Sequence, residues 1–376
     1  MSDFLSRFRH FDWVLVTSMV PLVSAGLITF TSFGTDSYFF SRQIIWIVIA
    51  TAIFIISAFI DWRFLRNSNV VAVLYITTLL ILFALFLTGS IFRGAQSWFS
   101  VGLFAVQPID IAKIVLVITL AKYFSRRHIE ISYFRHIVVS GIYCLCLLLL
   151  VLAQPDFGSG VIVFLIWFGI VVVSGISPKH LGLVFGLGLL TFVVLWMLVF
   201  RPYQKDRVLT FLDPERDIRG SGYNAFQSVV AVGAGGLYGK GVGYGTQSRL
   251  SYLPEYETDF VFAAFAEEWG FIGVLLLFSF LGIVIWRVLA NAIRGSTNFE
   301  LFFGVGVAII LMAHLTINVG MNIGILPVTG VTMPFMSYGG SHLVAEFLGL
   351  GMLVGMRRYS KAAHSEVTNQ ELLGPA

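Results

Sequence analysis

The sequence predicts an all-α, polytopic membrane protein with about ten transmembrane helices. Hydrophobic residues make up 57% of the 376-residue chain and charged residues only 12%, whereas soluble domains average about 45–50% and about 25%. Apolar runs long enough to span a bilayer recur along the whole chain, and in lipid each run must satisfy its own backbone as a helix. Because ten such runs leave no room for a large soluble domain, we expect a single transmembrane domain over residues 1–376.

The first predicted helix follows Arg7 and Arg9 and runs from Trp13 to about Phe33. It is too long for the hydrophobic part of a signal peptide and no cleavage motif follows it, so we expect it to be retained. The other nine apolar runs begin near Gln43, Asn69, Gln107, Ile137, Ser159, Leu181, Asp259, Phe299 and Gly340.

Basic residues in the connecting segments predict the orientation. Alternate loops and the two tails hold 14 of them, whereas the opposite short loops hold only Arg42 and Arg93. Since positively charged loops stay in the cytoplasm, both termini are predicted to be cytoplasmic, with a tail over residues 357–376. The net charge of +4 then reflects topology and does not indicate nucleic-acid binding. The 14 residues are Arg7, Arg9, Arg63, Arg66, Lys122, Arg126, Arg127, Arg135, Lys179, Arg287, Arg294, Arg357, Arg358 and Lys361.

One long connection, residues 201–258, joins the seventh and eighth predicted helices on the extracytoplasmic side. Long loops in compact proteins are usually functional, so we expect the working surface to face outward. The loop contains the glycine-rich run AVGAGGLYGKGVGYGT. This run is not a nucleotide-binding P-loop, because Ala234 stands where the first glycine is required and Gly241 follows the lysine. A purely structural turn and a turn whose amides face phosphate oxygens both remain open.

Polar residues cluster where several predicted helices meet the outer face. Asp110 and Lys113 share one helix face, either as a structural ion pair or as the charged wall of a cavity. Asp156, two residues after Gln154, is placed to favour the N-terminus of the helix that follows. Trp98, in the segment RGAQSWFS, is either an interfacial anchor or a ligand contact.

The stretch LPEYETDFVFAAFAEEWG concentrates carboxylates at the start of the eighth predicted helix. A partly buried carboxylate at this boundary suits a general base, because burial raises its pKa. Helix capping is the alternative role for Asp259. At about 100° per residue, Glu267 is rotated by about 80° from Asp259, whereas Glu268 points to the opposite side. The two glutamates, which lie on separate faces of the helix, are therefore expected to find their own partners within the bundle.

Several segments together resemble the SEDS family (shape, elongation, division and sporulation). The resemblance rests on GAQSWFSVG, QPIDIAK, QPDFGSG, YQKDRVLTFLDPERD, GYGTQSRLSYLPEYETDF and NIGILPVTGVTMPFMSYGGS, and it covers essentially the whole chain in order. The loop segments are most similar to RodA, the elongation branch of the family. The chain departs from the family pattern at His342 and Glu346, which stand four residues apart and could pair with each other.

The resemblance implies a peptidoglycan glycosyltransferase of cell elongation and rod shape, located in the bacterial cytoplasmic membrane with its active site on the extracytoplasmic side. The implied substrate is lipid II, an undecaprenyl-pyrophosphate-linked disaccharide-pentapeptide. The implied partners are a class B penicillin-binding protein, which is a transpeptidase, and other proteins of the elongation complex. No organic cofactor is expected, but a divalent cation, Mg²⁺ or Mn²⁺, could accompany the pyrophosphate.

The resemblance also assigns roles to residues of this chain. Asp259 matches the family's essential aspartate and would take the proton from the acceptor sugar hydroxyl as it attacks the donor's anomeric carbon. The candidate contacts for the pyrophosphate leaving group are Arg93, Lys113, Arg207 and Lys240. The remaining substrate-binding candidates are Trp98, Gln107, Asp110, Gln154, Asp156 and Ser337.

Two other classes of function remain as alternatives. A lipid II flippase would pass a headgroup across the bilayer, although the unusual charges lie at the outer face and are not distributed through the midplane. A non-catalytic scaffold of the cell-wall machinery would not need Asp259. Polymerisation and translocation assays with an Asp259 variant would separate the three.

Overall fold

The computed structural model describes residues 12–31, 37–92, 95–101, 104–125, 134–198, 200, 202–213, 217, 220–250, 252–253 and 255–373. The predicted fold class is confirmed, because ten helices of 17 or more residues dominate these ranges. The helices are α1 (Trp13–Thr31), α2 (Ser37–Phe59), α3 (Ser68–Thr88), α4 (Pro108–Ser125), α5 (Phe134–Ala153), α6 (Phe157–Val173), α7 (Pro178–Leu198), α8 (Pro202–Leu212), α9 (Ser221–Ala234), α10 (Thr246–Arg249), α11 (Val261–Ile293), α12 (Asn298–Asn322) and α13 (Gly340–Leu373), with a short 3₁₀ helix at Trp62–Arg66.

Seven of the described helices are long and apolar enough to cross a membrane. The other three long helices miss those limits for visible reasons. The helix α4 carries the charged residues Asp110, Lys113 and Lys122, α6 has only 17 residues, and α13 is the least apolar of the ten long helices. The chain is therefore a multi-pass membrane protein. The long connection predicted over residues 201–258 contains the short helices α8, α9 and α10.

A small antiparallel sheet precedes α4 and was not predicted from the sequence. Its strands β1 (Ser90–Phe92), β2 (Ala95–Val101) and β3 (Phe104–Val106) are hydrogen-bonded in that order. Strand β2 packs on both α3 and α4. This packing brings Trp98 near the N-terminus of α4, where the polar residues predicted to form a site also lie.

The helix α12 is the central helix of the bundle. In its membrane-crossing part 72% of the residues are buried, against 7% for the corresponding part of α7. It packs against α4, α6, α11 and α13, and glycines allow the close approach. A Cβ on Gly306 would lie 2.4 Å from the Val117 side chain of α4, and one on Gly304 would lie 2.4 Å from Ala292 of α11. The polar side chains on the buried face of α12, such as His314, Asn318 and Asn322, are surrounded by protein and need partners there.

Ion pairs tie the helices together at the end of the bundle that is predicted to be cytoplasmic. Asp12 lies just before α1 and accepts hydrogen bonds from Arg287 of α11 and Arg357 of α13. Burial raises the pKa of Asp12, but the hydrogen bonds from Arg287, Asn291 and the Leu15 amide together outweigh it and hold that pKa below its usual value. Arg66 forms a 2.6 Å ion pair with Glu300 of α12 at the same end. The basic residues that predict the topology therefore also fasten the helix ends.

The helix α11 bends at Gly270, whose φ of 65° and ψ of −170° are not helical. All residues from 261 to 268 are buried, whereas Phe271 and Ile272 after the bend are exposed. The 23 residues from 271 to 293 (293 − 271 + 1) can cross a bilayer by themselves. The lipid-facing part of α11 thus starts near Phe271, twelve residues after the predicted start at Asp259, because protein encloses the first two turns.

Gly270→Ala is expected to lower the unfolding temperature of the purified protein. A Cβ at Gly270 would lie 2.2 Å from the backbone nitrogen of Gly239, and the observed φ/ψ pair costs a non-glycine residue about 1–3 kcal/mol even without the clash. Thermal unfolding in detergent measures the effect. Gly282→Ala is the matched control on the same helix, because nothing lies within 4 Å of its added Cβ. Equal unfolding temperatures for the two variants would contradict the bend.

Candidate active site

A cavity of about 210 Å³ opens at the end of the bundle opposite Asp12. It lies where the starts of α4, α6 and α13, the turn before α11 and the C-terminal half of α12 meet. Polar residues that are far apart in the sequence are thus brought to one place. Seven of the predicted site residues line the cavity: Trp98, Gln107, Asp110, Lys113, Asp156, Arg207 and Asp259.

Asp259 occupies a tight turn immediately before α11. Three successive backbone amides, beginning at Thr258, converge on the Glu255 carbonyl oxygen at 3.1–3.2 Å. The carbonyl oxygen of Asp259 accepts hydrogen bonds of 3.0 Å and 3.1 Å from the side-chain amides of Asn318 and Asn322 on α12. The central helix of the bundle therefore holds the backbone of this residue in place.

The loop before α13 fixes the same turn from its other side. The Ser337 hydroxyl donates a 2.6 Å hydrogen bond to the Thr258 carbonyl oxygen, and the Tyr338 amide donates a 2.7 Å bond to the carbonyl two residues before Asp259. Next to the carboxylate, Gly330 leaves space that a side chain would fill, since a Cβ there would lie 3.5 Å from Oδ2. The carboxylate is thus carried on a rigid turn beside open space.

A buried cation forms the inner wall of the cavity. The Lys113 Nζ lies 3.1 Å from Asp110 Oδ1 and 3.3 Å from His314 Nε2. The other oxygen of Asp110 accepts a 2.9 Å hydrogen bond from the Ser341 hydroxyl. Asp110 and Lys113 form an ion pair and also line the cavity. The interpretation as a structural ion pair and the interpretation as a cavity wall therefore both apply.

Asp156 and Gln107 form another polar wall of the cavity. Asp156 is the N-cap of α6, since its Oδ1 accepts a 3.0 Å hydrogen bond from the Ser159 amide. This agrees with the prediction that it favours a helix N-terminus. Its Oδ2 accepts a 2.9 Å bond from Gln107 Nε2. These bonds hold both side chains in fixed positions.

Tyr338 lines the cavity beside a second cation, Arg42, to which its hydroxyl is hydrogen-bonded. The Arg42 guanidinium also lies 4.1 Å from the centre of the Tyr38 ring. Burial raises the pKa of Tyr338, and the bond to Arg42 offsets only part of this rise. The phenol is therefore protonated at neutral pH and can donate a hydrogen bond into the cavity.

The remaining predicted site residues do not line this cavity. Arg93 lies outside the described residues. Gln154 is buried, and its Nε2 donates a 2.7 Å hydrogen bond to a backbone carbonyl of α3. Ser337 supports the turn that carries Asp259. These contacts favour supporting roles for Gln154 and Ser337, and their contact with a substrate stays a prediction.

Lys240 lies in the glycine-rich loop, which wraps around the first turns of α11. Its Nζ is 2.7 Å from Glu267 Oε1, and the amides of Thr246 and the next residue donate to the same carboxylate at 2.9–3.2 Å. The Gly243 amide donates a 3.0 Å bond to Glu268. The loop does bind oxyanions, but these are the protein's own carboxylates. Each glutamate has partners of its own, as expected, but both sets of partners lie in this loop and not within the helical bundle, because the loop wraps around the helix.

Sequence patterns missed several residues at the site, and most of them lie on α12. His314 lines the cavity, while Asn318 and Asn322 hold the carbonyl of Asp259. A signal was present, because these three residues recur every four positions and so lie on one face of an apolar helix. Polar residues in a membrane-crossing helix usually have a function.

Within the described ranges, no group of three or more His, Cys, Asp or Glu side chains lies close enough to hold a metal ion. His314 and His342 stack on each other with their ring centres 4.3 Å apart. His342 Nε2 lies 3.0 Å from Glu346 Oε1, so the pairing suggested by their spacing is confirmed.

Comparison with known proteins agrees with this arrangement. The family model of the FtsW, RodA and SpoVE proteins, described as cell cycle proteins, matches residues 6–362. Peptidoglycan glycosyltransferase MrdB of Escherichia coli strain K12 is 35% identical, over 95% of this chain and 96% of its own length. Stage V sporulation protein E of Bacillus subtilis strain 168 is 32% identical, over 93% of this chain and 98% of its own length.

Solved structures share the fold. One chain, from work described as structural coordination of polymerization and crosslinking by a peptidoglycan synthase complex, superposes with a TM-score of 0.80 at 31% identity, covering 93% of this chain and 98% of its own. The rod shape determining protein RodA of Thermus thermophilus gives a TM-score of 0.70 at 28% identity, covering 93% and 97%. Sequence and structure agree over nearly the whole chain, which therefore belongs to the FtsW/RodA/SpoVE family.

Proposed function

We propose that the cavity around Asp259 is where this chain, a peptidoglycan glycosyltransferase, joins lipid II units into glycan strands during cell elongation. The observation that carries the proposal is a carboxylate on a rigid turn facing a cavity walled by Lys113 and Arg207. This arrangement supplies a base and cations within one site. It matches the needs of a sugar transfer whose leaving group is a pyrophosphate.

The first part of the reaction is the activation of the acceptor. Asp259 takes the proton from the 4-hydroxyl group of the acceptor sugar as that oxygen attacks the anomeric carbon of the donor. The attack proceeds with inversion, because a single displacement needs no second carboxylate as nucleophile. The hydrogen bonds from Asn318 and Asn322 fix the backbone of the base, so little reorganisation is needed when the acceptor binds.

The second part is the departure of the undecaprenyl pyrophosphate. As the bond to the anomeric carbon breaks, negative charge grows on the pyrophosphate oxygens, and nearby cations stabilise it. Lys113 and Arg207 line the same cavity as Asp259 and are the side chains proposed for this task. The phenol of Tyr338 is a further donor at its wall.

A divalent cation, Mg²⁺ or Mn²⁺, is retained only as a companion of the substrate. Since the described residues offer no group of three or more metal-binding side chains, such an ion would take most of its ligands from pyrophosphate oxygens and water, with one or two carboxylates. That mode of binding is usual for Mg²⁺ at phosphate sites. No step described above depends on the ion.

The orientation of the site follows from charge. The end of the bundle that carries Asp12, Arg66 and Arg287 is rich in basic residues, which favours a cytoplasmic location. We therefore place the Asp259 cavity on the extracytoplasmic side of the bacterial cytoplasmic membrane. A class B penicillin-binding protein is the proposed partner, because a structural relative comes from a complex that coordinates polymerisation and crosslinking.

Asp259→Asn is expected to reduce polymerisation of lipid II by about 10²–10⁴-fold, because an amide cannot accept the acceptor's proton. Gel analysis of the glycan products of purified protein, with and without the transpeptidase, measures the effect. Asp213→Asn is the matched control, since Asp213 is exposed and does not line the cavity. Its rate should equal that of the wild type.

The wild-type protein and the Asp259→Asn variant together separate the alternative functions. Wild-type protein that moves a labelled lipid II headgroup across vesicles but forms no glycan would favour a flippase. Full cell-shape function in a strain that carries only Asp259→Asn would favour a scaffold. Either result would contradict the proposed chemistry.

Lys113→Met is expected to impair the reaction rate, whereas Lys240→Met is expected to impair stability. Lys113 lines the cavity, so its loss should lower the maximal rate by about 10²-fold. Lys240 holds the glycine-rich loop through Glu267, so its loss should lower the unfolding temperature and change the maximal rate by less than about threefold. Initial rates at saturating lipid II, together with thermal unfolding, test both. A large rate loss in Lys240→Met at unchanged stability would restore that lysine as a substrate contact.

A further inference from the structure

Lys113 depends on a neighbour, His314, that lies outside the sequence segments resembling the SEDS family. The lysine is only 3% exposed, and its Nζ lies between Asp110 Oδ1 and His314 Nε2. An ammonium group has three N–H donors, so these two contacts fix its direction and leave a third donor for the cavity. A long, flexible lysine side chain would otherwise lose this direction easily.

The hydrogen bonds of His314 select one form of its ring. Its Nδ1 lies 3.1 Å from the Thr332 carbonyl oxygen, which can only accept, so Nδ1 carries a proton. Its Nε2 faces the Lys113 ammonium, which can only donate, so Nε2 accepts. Both partners therefore favour the same neutral tautomer, and His314 receives the lysine without adding charge to a buried site.

A second layer of contacts holds the His314 ring from behind. It stacks on His342 with an interplanar angle of 28°. His342 in turn lies 3.0 Å from Glu346, whose Oε2 accepts a 3.0 Å hydrogen bond from the Phe335 amide. His342 and Glu346 belong to α13, whereas His314 belongs to α12 and Lys113 to α4. Residues of three helices thus contribute to the position of the lysine, those of α13 through His314.

We propose that His314 is a positioning residue for the polymerase reaction, which aims the Lys113 ammonium at the pyrophosphate leaving group and is itself held by His342 and Glu346. The proposal rests on the proposed function, because it assigns His314 an effect on a step at the Asp259 cavity. It goes beyond that function by naming a residue that touches no reacting atom and acts through Lys113.

Two substitutions of His314 distinguish positioning from simple packing. In His314→Phe the ring is kept for stacking on His342, but both ring nitrogens are lost. In His314→Gln the side-chain oxygen can still accept a hydrogen bond from Lys113. We expect His314→Phe to lower the maximal rate of lipid II polymerisation by about 10–100-fold, with KM within about threefold of wild type. His314→Gln should retain a rate within about threefold of wild type.

A double-mutant cycle of polymerisation rates distinguishes an effect through Lys113 from a loss of packing. If His314 acts only through Lys113, adding His314→Phe to Lys113→Met should cause no further loss of rate. Thermal unfolding in detergent checks that each variant is folded. If His314→Phe does not purify as a folded protein, His314→Met removes the same two nitrogens and carries the same prediction.

Three results would overturn the proposal. They are a wild-type rate in His314→Phe, an equal loss in His314→Gln and His314→Phe, and additive losses in the double variant. Failure of the proposed function looks different, because the wild-type protein itself would then form no glycan, or Asp259→Asn would form it normally.

Discussion

The structure depends on one constraint: a charge inside a lipid-embedded bundle must have a partner. Removing one partner of a buried ion pair typically costs about 3–5 kcal/mol, so each pair fixes the segments it joins. Asp12 joins α1 to α11 and α13, and Lys113 with Asp110 joins α4 to α12 and α13. Glu267 fastens the glycine-rich loop to α11. The charges that looked costly in the sequence hold the parts of the fold together.

The central helix α12 links this constraint to the chemistry. One face of it carries His314, Asn318 and Asn322 at intervals of four residues. The first reaches the lysine of the cavity, and the two asparagines reach the backbone of Asp259. A single buried helix thus sets the position of both the proposed base and the cation proposed to meet the leaving group. Rigid support of this kind is what a transfer reaction needs, since small misplacements of reacting groups are costly.

Sequence reasoning could predict features that depend on neighbouring residues. It could not predict contacts that depend on how distant segments of the chain pack together. Lys113 was identifiable because ionisable residues inside membrane-spanning helices are rare, and Asp156 because a carboxylate favours a helix N-terminus; both line the cavity. The partner of Glu267 was not predictable, because it lies in a loop whose path depends on the bend at Gly270.

The small sheet that carries Trp98 was missed because the sequence signal of three short strands is weak beside long apolar runs. The start of the lipid-facing part of α11 was misjudged for a different reason. Hydropathy does not distinguish apolar residues that pack on protein from those that face lipid, and residues 261–268 pack on protein.

The most direct test of the central claim is a structure of the protein with a lipid II analogue that binds but cannot polymerise. The account predicts that the 4-hydroxyl of the acceptor sugar lies about 2.6–3.2 Å from the Asp259 carboxylate. It also predicts that the donor pyrophosphate contacts Lys113 and Arg207. A pyrophosphate bound at Lys240 and the glycine-rich loop, with Asp259 out of reach of both sugars, would contradict it.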